Sequence, residues 1–179
     1  MTVAIIGAGP LGRWLALAAA RAGYRVLLED IMPANLHHAR EALRRALSET
    51  ALPAVAFVST IEDAVRDADL VIDCVPDELE SKLEIFWLLD RMAPPRTVFA
   101  TPSTRLSIAD LAACTYRVDK CVAIVAEAGA LAEGTGGGDL VLRTTLLTAP
   151  ETVAVVREFW ESLGFTPRFE LDPALHPHS

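Results

Sequence analysis

The chain opens Thr2-Val3-Ala4-Ile5-Ile6-Gly7-Ala8-Gly9-Pro10-Leu11-Gly12. Thr2 to Ile6 is a short apolar run rich in β-branched side chains, the pattern of a buried strand. From Leu11 to Arg21 the composition turns to Ala and Leu, which favours helix. Between them lies a GxGxxG segment, and its placement gives it meaning, because glycines cluster in many ordinary turns. Gly7 permits a tight turn, Gly9 lets the backbone approach a pyrophosphate, and Gly12 allows helix to pack closely on strand. The helix N-terminus adds unpaired N–H groups and a partial positive charge. Gly7, Ala8, Gly9, Pro10, Leu11 and Gly12 are therefore the candidate phosphate-binding residues.

The next apolar strand, Tyr24 to Leu28, runs into Glu29-Asp30. Asp30 lies 23 positions after Gly7, near the spacing of about 20 expected for the acid that holds an adenosine ribose. A carboxylate there accepts hydrogen bonds from the ribose hydroxyls and repels a 2′-phosphate, so the cofactor expected is NAD. Glu29 is the neighbouring candidate, but alternation along the strand points it to the opposite face. The competing explanation is a glycine turn beside an acid that merely faces solvent.

Strand and helix patterns continue to alternate. Ala34–Leu47 is a helix, Val55–Val58 a strand, Glu62–Arg66 a short helix and Leu70–Val75 a strand. Leu79–Met92 is a helix stopped by Pro94 and Pro95. Val98–Ala100, Ile108–Ala113 and Val122–Val125 continue the series. Such alternation means a mostly parallel sheet covered on both faces, doubly wound in a Rossmann-type α/β fold. Gly129–Asp139, with five glycines, reads as a loop. Leu140–Leu147, Glu151–Leu163 and Phe165–Leu171 read as strand, helix and strand. A single domain over residues 1–172 with a loose tail, 173–179, is the expected organisation.

Composition excludes several function classes. Sixteen Lys plus Arg against 24 Asp plus Glu give a formal net charge of −8 in 179 residues, which disfavours a nucleic-acid partner. The uncharged stretch Met1–Gly12 is far below the roughly 18 apolar residues of a membrane span. Three cysteines without CxxC spacing, and histidines at 37, 38, 176 and 178, indicate neither a disulfide framework nor a metal site. A reduced, cytoplasmic setting is expected.

Further along, Ile72-Asp73-Cys74-Val75-Pro76-Asp77-Glu78-Leu79-Glu80-Ser81-Lys82, followed by Leu83-Glu84-Ile85-Phe86, and Phe99-Ala100-Thr101-Pro102-Ser103-Thr104-Arg105-Leu106-Ser107-Ile108 resemble two segments of the 3-hydroxyacyl-CoA dehydrogenase family's NAD-binding domain. The resemblance covers nearly the whole chain. It implies NAD as cofactor and places Val75, Asp77 and Lys82 beside it. Thr104 replaces a family serine, and Pro102 stands where an asparagine is usual. The competing explanation for the acids is a solvated helix start, and for Lys82 a pair with Glu78 at helical spacing.

The departures bear on activity. Where the family has its general-base histidine this chain has Val125, and where it has the orienting glutamate this chain has Leu142. Glu127, two positions after Val125, is the single carboxylate available as a substitute base. The resemblance also implies a helical C-terminal domain that these residues do not include. A domain that binds NAD(H) without stand-alone oxidation of 3-hydroxyacyl-CoA is the leading expectation. An oxidoreductase of fatty acid metabolism completed by a helical-domain partner chain, with acyl-CoA as substrate, stays open. So do an NAD-sensing interaction protein and self-association into a homo-oligomer.

Overall fold

Backbone hydrogen bonding orders the chain as β1 (Thr2–Ile6), α1 (Pro10–Arg21), β2 (Arg25–Glu29), α2 (Pro33–Ala46), β3 (Val55–Val58), α3 (Ile61–Val65) and β4 (Leu70–Asp73). There follow α4 (Leu79–Met92), β5 (Val98–Pro102), α5 (Ile108–Ala113), β6 (Cys121–Ile124), β7 (Gly138–Thr144), α6 (Pro150–Ser162) and β8 (Phe165–Leu171). This computed structural model describes residues 1–126, 131 and 137–173. Glu127, most of the glycine-rich segment after it and residues 174–179 lie outside the described residues.

The eight strands form one sheet in the order β3-β2-β1-β4-β5-β6-β7-β8. Every neighbouring pair is parallel except β6 and β7, which pair antiparallel with Ile124 opposite Leu142. Alternate strand residues feed two cores. Val3, Ile5 and Leu28 pack under α1, α2 and α6, whereas Ala4, Ile6 and Val71 pack under α3, α4 and α5. Burial on both faces explains why these strands are continuous apolar runs. On the first face Trp160 of α6 meets Phe165 edge-on at 5.3 Å, and Phe165 meets Trp14 of α1 at 6.1 Å. These rings dock the last β-α-β unit onto the first helix.

Several strand boundaries shift from expectation, including β2, β5 and β6, and two of the shifts have local reasons. Leu70–Val75 ends at Asp73, because the Asp73 carboxylate takes the Val75 N–H at 2.9 Å and pulls the chain out of the ladder. The strand expected at Leu140–Leu147 spans Gly138–Thr144, so Gly138 and Asp139 belong to sheet rather than loop. Beyond it, the Thr145 N–H donates to the Thr148 hydroxyl at 2.8 Å and starts a turn. Among the described residues, no helix is long and apolar enough to cross a membrane.

Candidate functional site

Strand order reverses between β1 and β4, and at such a switch point the loops at the strand C-termini part to leave a crevice. Ladder bonds continue past the strand ends and fix those loops. The Gly7 N–H donates to the Glu29 carbonyl at 2.8 Å, Cys74 N–H to Ile6 carbonyl at 2.8 Å and Asp30 N–H to Val58 carbonyl at 3.3 Å. A cleft of about 710 Å³ opens here, bounded by Gly7, Gly9, Asp30, the turn at Ser59–Glu62 and the α4 side chains Ile85 and Leu88. A second cavity of about 330 Å³ continues from Cys74, Val75 and Pro76 to Leu11, Asp77, Pro102 and Ala126.

Each glycine of the first loop has its own steric reason. Gly7 adopts φ +103°, where side chains are rarely accommodated. A Cβ at Gly12 would lie 1.8 Å from the Gly7 carbonyl oxygen, so this contact of α1 with the loop tolerates hydrogen alone. A Cβ at Gly9 would meet nothing within 4 Å; its absence keeps the cleft side of the loop bare. Pro10 begins α1, whose first turn has neither a side-chain cap nor an acidic residue. The helix therefore presents its amide end to the cleft without internal neutralisation.

Asp30 is buried at the cleft wall. Its Oδ2 accepts from the Ala8 N–H at 2.8 Å and the Asn35 side-chain amide at 3.1 Å, and its Oδ1 from the Met32 N–H at 2.8 Å. The carboxylate thus ties the glycine loop to the start of α2. Asp77 sits at the far end, with the Thr104 N–H 3.4 Å from its Oδ2 and Arg105 donating to its carbonyl at 3.1 Å. Among the described residues its Oδ1 is buried without a hydrogen-bond partner, and Asp77 is one of the residues that line the second cavity.

Lys82 is placed differently from its expected position. Its ammonium is 1% exposed and donates to Asp73 Oδ2 at 3.1 Å and to the Val75 carbonyl at 3.2 Å. The Thr101 hydroxyl donates to the same Asp73 oxygen at 2.8 Å. Lys82 lines neither cavity and does not pair with Glu78; it lies beneath the Val75–Asp77 turn. Val75 itself lines both cavities. At Cys74, between them, burial and then the charge of Asp73 push the thiol up despite Lys82, which disfavours the nucleophilic thiolate.

Glu29 follows the alternation of β2, pairing in register with Ile6 on the α3–α4 face. The cleft reaches around to that face, however, so Glu29 lines it together with Asp30. Burial, followed by the Asp30 charge, raises its carboxyl from the ordinary 4.5 to about 7. A carboxyl raised on folding keeps its full stability contribution below about pH 4.5 and loses it progressively as pH rises to about 7. Glu29→Gln is therefore expected to match the wild type near pH 4.5 and exceed it at pH 8 by about 2 kcal/mol, the roughly 3 kcal/mol of the full shift reduced by the solvent that still screens the carboxyl from the cleft. Urea melts at the two pH values check this; equal stability at both would show that ionising Glu29 costs nothing.

Val125 and Leu142 flank the antiparallel seam. The Val125 N–H donates to the Val141 carbonyl at 2.9 Å, and Leu142 is fully buried in the α1–α6 core. Neither side chain titrates, and Ala126, next in sequence, lines the second cavity. Asn35, Thr60, Ile85 and Leu88 are cleft residues that sequence patterns did not single out. For Ile85 and Leu88 the signal was the apolar spacing 85, 88, 92 on α4, which a core stripe produces equally well.

Comparison with known proteins matches this architecture. The family described as 3-hydroxyacyl-CoA dehydrogenase, NAD binding domain, covers residues 2–125. L-carnitine dehydrogenase of Burkholderia mallei is 34% identical over 93% of this chain and 53% of its own. The 5-formyl-3-hydroxy-2-methylpyridine 4-carboxylate 5-dehydrogenase of Mesorhizobium japonicum is 30% identical over 92% of this chain and 55% of its own. The chain thus spans about half the length of these curated relatives. The crystal structure of 3-hydroxybutyryl-CoA dehydrogenase from Escherichia coli superposes with a TM-score of 0.83 at 28% identity, over 96% of this chain and 38% of that one. With a doubly wound sheet, a glycine loop at its switch point and a family match over residues 2–125, the chain belongs to the 3-hydroxyacyl-CoA dehydrogenase family as an NAD-binding domain.

Proposed function

We propose that these residues hold NAD(H) across the two cavities and that, without a titratable group at 125 and 142, they do not oxidise a hydroxyacyl substrate unaided. The observation that carries the binding half is the bare Gly7–Gly12 loop at the α1 N-terminus beside Asp30. Gly7, Ala8, Gly9, Pro10, Leu11 and Gly12 would carry the pyrophosphate, Asp30 the adenosine ribose, and Val75 and Asp77 the nicotinamide half. A carboxylate offers about four acceptor positions. Ala8, Met32 and Asn35 occupy three on Asp30, so a ribose hydroxyl takes the fourth. The orphaned Asp77 Oδ1 supplies the matching acceptor for a hydroxyl at the other end.

Four carboxylates, Glu29, Asp30, Glu62 and Glu84, border the larger cleft, and among the described residues no Lys, Arg or His does. That field opposes a 2′-phosphate and supports NAD over NADP. Lys82 acts here as a positioning residue: its ammonium draws Asp73 and the Val75 carbonyl together and sets the turn leading to Asp77. Bound NAD would supply hydride acceptance; the chain's own residues supply binding and orientation. Calorimetric titration with NADH and, in parallel, NADPH tests this. Binding of NADH alone supports the assignment, and binding of neither overturns it.

The silent half concerns proton transfer, which needs a titratable group in reach of the substrate hydroxyl. Val125→His alone is expected to leave turnover of 3-hydroxybutyryl-CoA at the wild-type background, because buried Leu142 cannot orient an imidazole. A large gain from that single change would reassign the second member of the dyad. Relatives named as dehydrogenases over 92–93% of this chain support a second reading, in which a partner chain or Glu127 completes an active oxidoreductase. Turnover by the wild type with NAD and a hydroxy-acid or hydroxyacyl-CoA substrate would favour it.

A further inference from the structure

We propose that Glu29 reads the base of the bound dinucleotide, its carboxylate accepting a hydrogen bond from the exocyclic amino group of adenine and opposing a purine that carries an oxygen there. The inference rests on the cofactor placement just described. With the pyrophosphate on Gly7 and Gly9 and the ribose on Asp30, the base enters the remainder of the larger cleft, walled by Ile31, Ile61, Ile85 and Leu88. A purine gives such a wall its apolar faces but keeps a polar edge that needs a partner.

The polar side chains there are unequal candidates. The Asn35 amide is given to Asp30 at 3.1 Å, and the Thr60 hydroxyl donates to Asp63 at 2.8 Å while accepting the Asp63 N–H. Ser59, Glu62 and Glu84 are exposed at the rim. Glu29 is 5% exposed, and no side-chain hydrogen bond engages it among the described residues. A carboxyl buried in an apolar cleft without a partner costs stability, as its upward shift to about 7 reflects, and a ligand amino group would relieve that cost. A bound cation is a poorer explanation, because no metal-binding group of acids forms among the described residues.

Charge settles the direction of the preference. Ionised, Glu29 accepts from an amino group and repels an oxo group; protonated, it can donate to the oxo group. The groups that line the cleft with it are Asp30 at its own strand end, Glu62 from α3, Glu84 from α4, the thiol of Cys74 after β4 and the uncharged Asn35 from α2. All the charged ones are acids, so none of them can attract an oxo group in its stead.

The test compares NADH with reduced nicotinamide hypoxanthine dinucleotide by calorimetry on the intact chain. Wild type is expected to prefer NADH by roughly 10- to 100-fold at pH 8, the range of one hydrogen bond to a charged group, and by less at pH 6. Glu29→Gln, whose amide can both accept and donate, is expected to erase most of the preference by binding the hypoxanthine dinucleotide better, with a thermal melt confirming that it is folded. Equal binding of the two by wild type, a preference retained in Glu29→Gln, or one unchanged from pH 6 to 8 would each overturn the role of Glu29 while leaving the cofactor site standing. Binding of neither dinucleotide would overturn the cofactor placement itself, and this inference with it.

Discussion

Lys82→Ala is expected to lower stability by about 3–5 kcal/mol, the cost of leaving one member of a buried ion pair alone. Both side chains are 1% exposed, and the Asp73 carboxylate would keep the Thr101 hydroxyl and the Val75 N–H but lose its cation. For a chain of this size the midpoint of thermal unfolding should fall by roughly 6–20 °C. Asp73→Asn in the Lys82→Met background should recover much of the loss, because an amide needs no counter-charge and Met fills the space. A single variant within about 1 kcal/mol of wild type would show that the pair contributes no net stability. NADH affinity of the folded variant should also fall, since the Val75–Asp77 turn loses the ammonium that holds the Val75 carbonyl.

Asp30→Ala is expected to weaken NADH binding by roughly 100-fold, the scale of one or two hydrogen bonds to a charged group. NADPH, no longer opposed by that carboxylate, should lose much less, so the preference between the two cofactors narrows. Part of the NADH loss comes through the loop, because Ala8 and Met32 lose the acceptor that joins them. Asp30→Asn separates the two contributions: its carbonyl can still accept from Ala8, whereas its amide no longer repels phosphate. Parallel titrations of wild type and both variants decide the matter, and an unchanged cofactor preference would move the ribose contact to another residue.

Much of this arrangement was legible beforehand because its causes are local. An apolar β-branched run, three glycines with fixed spacing, an Ala-rich helix and an acid at the next strand end are all short-range signals, and backbone sterics and strand alternation act over the same few residues. Gly12 illustrates this: the close approach of helix to turn that its spacing implied is a 1.8 Å conflict for any Cβ. The resemblance to a known family carried Asp77 and Lys82, but motif position alone could not distinguish a residue facing the cavity from one buried beneath it. Asp77 is the former and Lys82 the latter. The boundary of β4 was misplaced by two residues for a similar reason, since apolarity continued through Val75 while a side-chain hydrogen bond had already ended the ladder.

The sequence by itself determined the doubly wound sheet, the glycine loop and the acid that follows it, since periodicity and turn sterics are written into neighbouring residues. Tertiary structure alone decided the charged groups. Lys82 meets Asp73 nine positions away and, through it, Thr101, another 28 positions on. Glu29 gains its shifted carboxyl from packing against elements distant in the chain. A charged residue read in isolation defaults to solvent, and only the packing of remote segments removes that solvent and selects its partner.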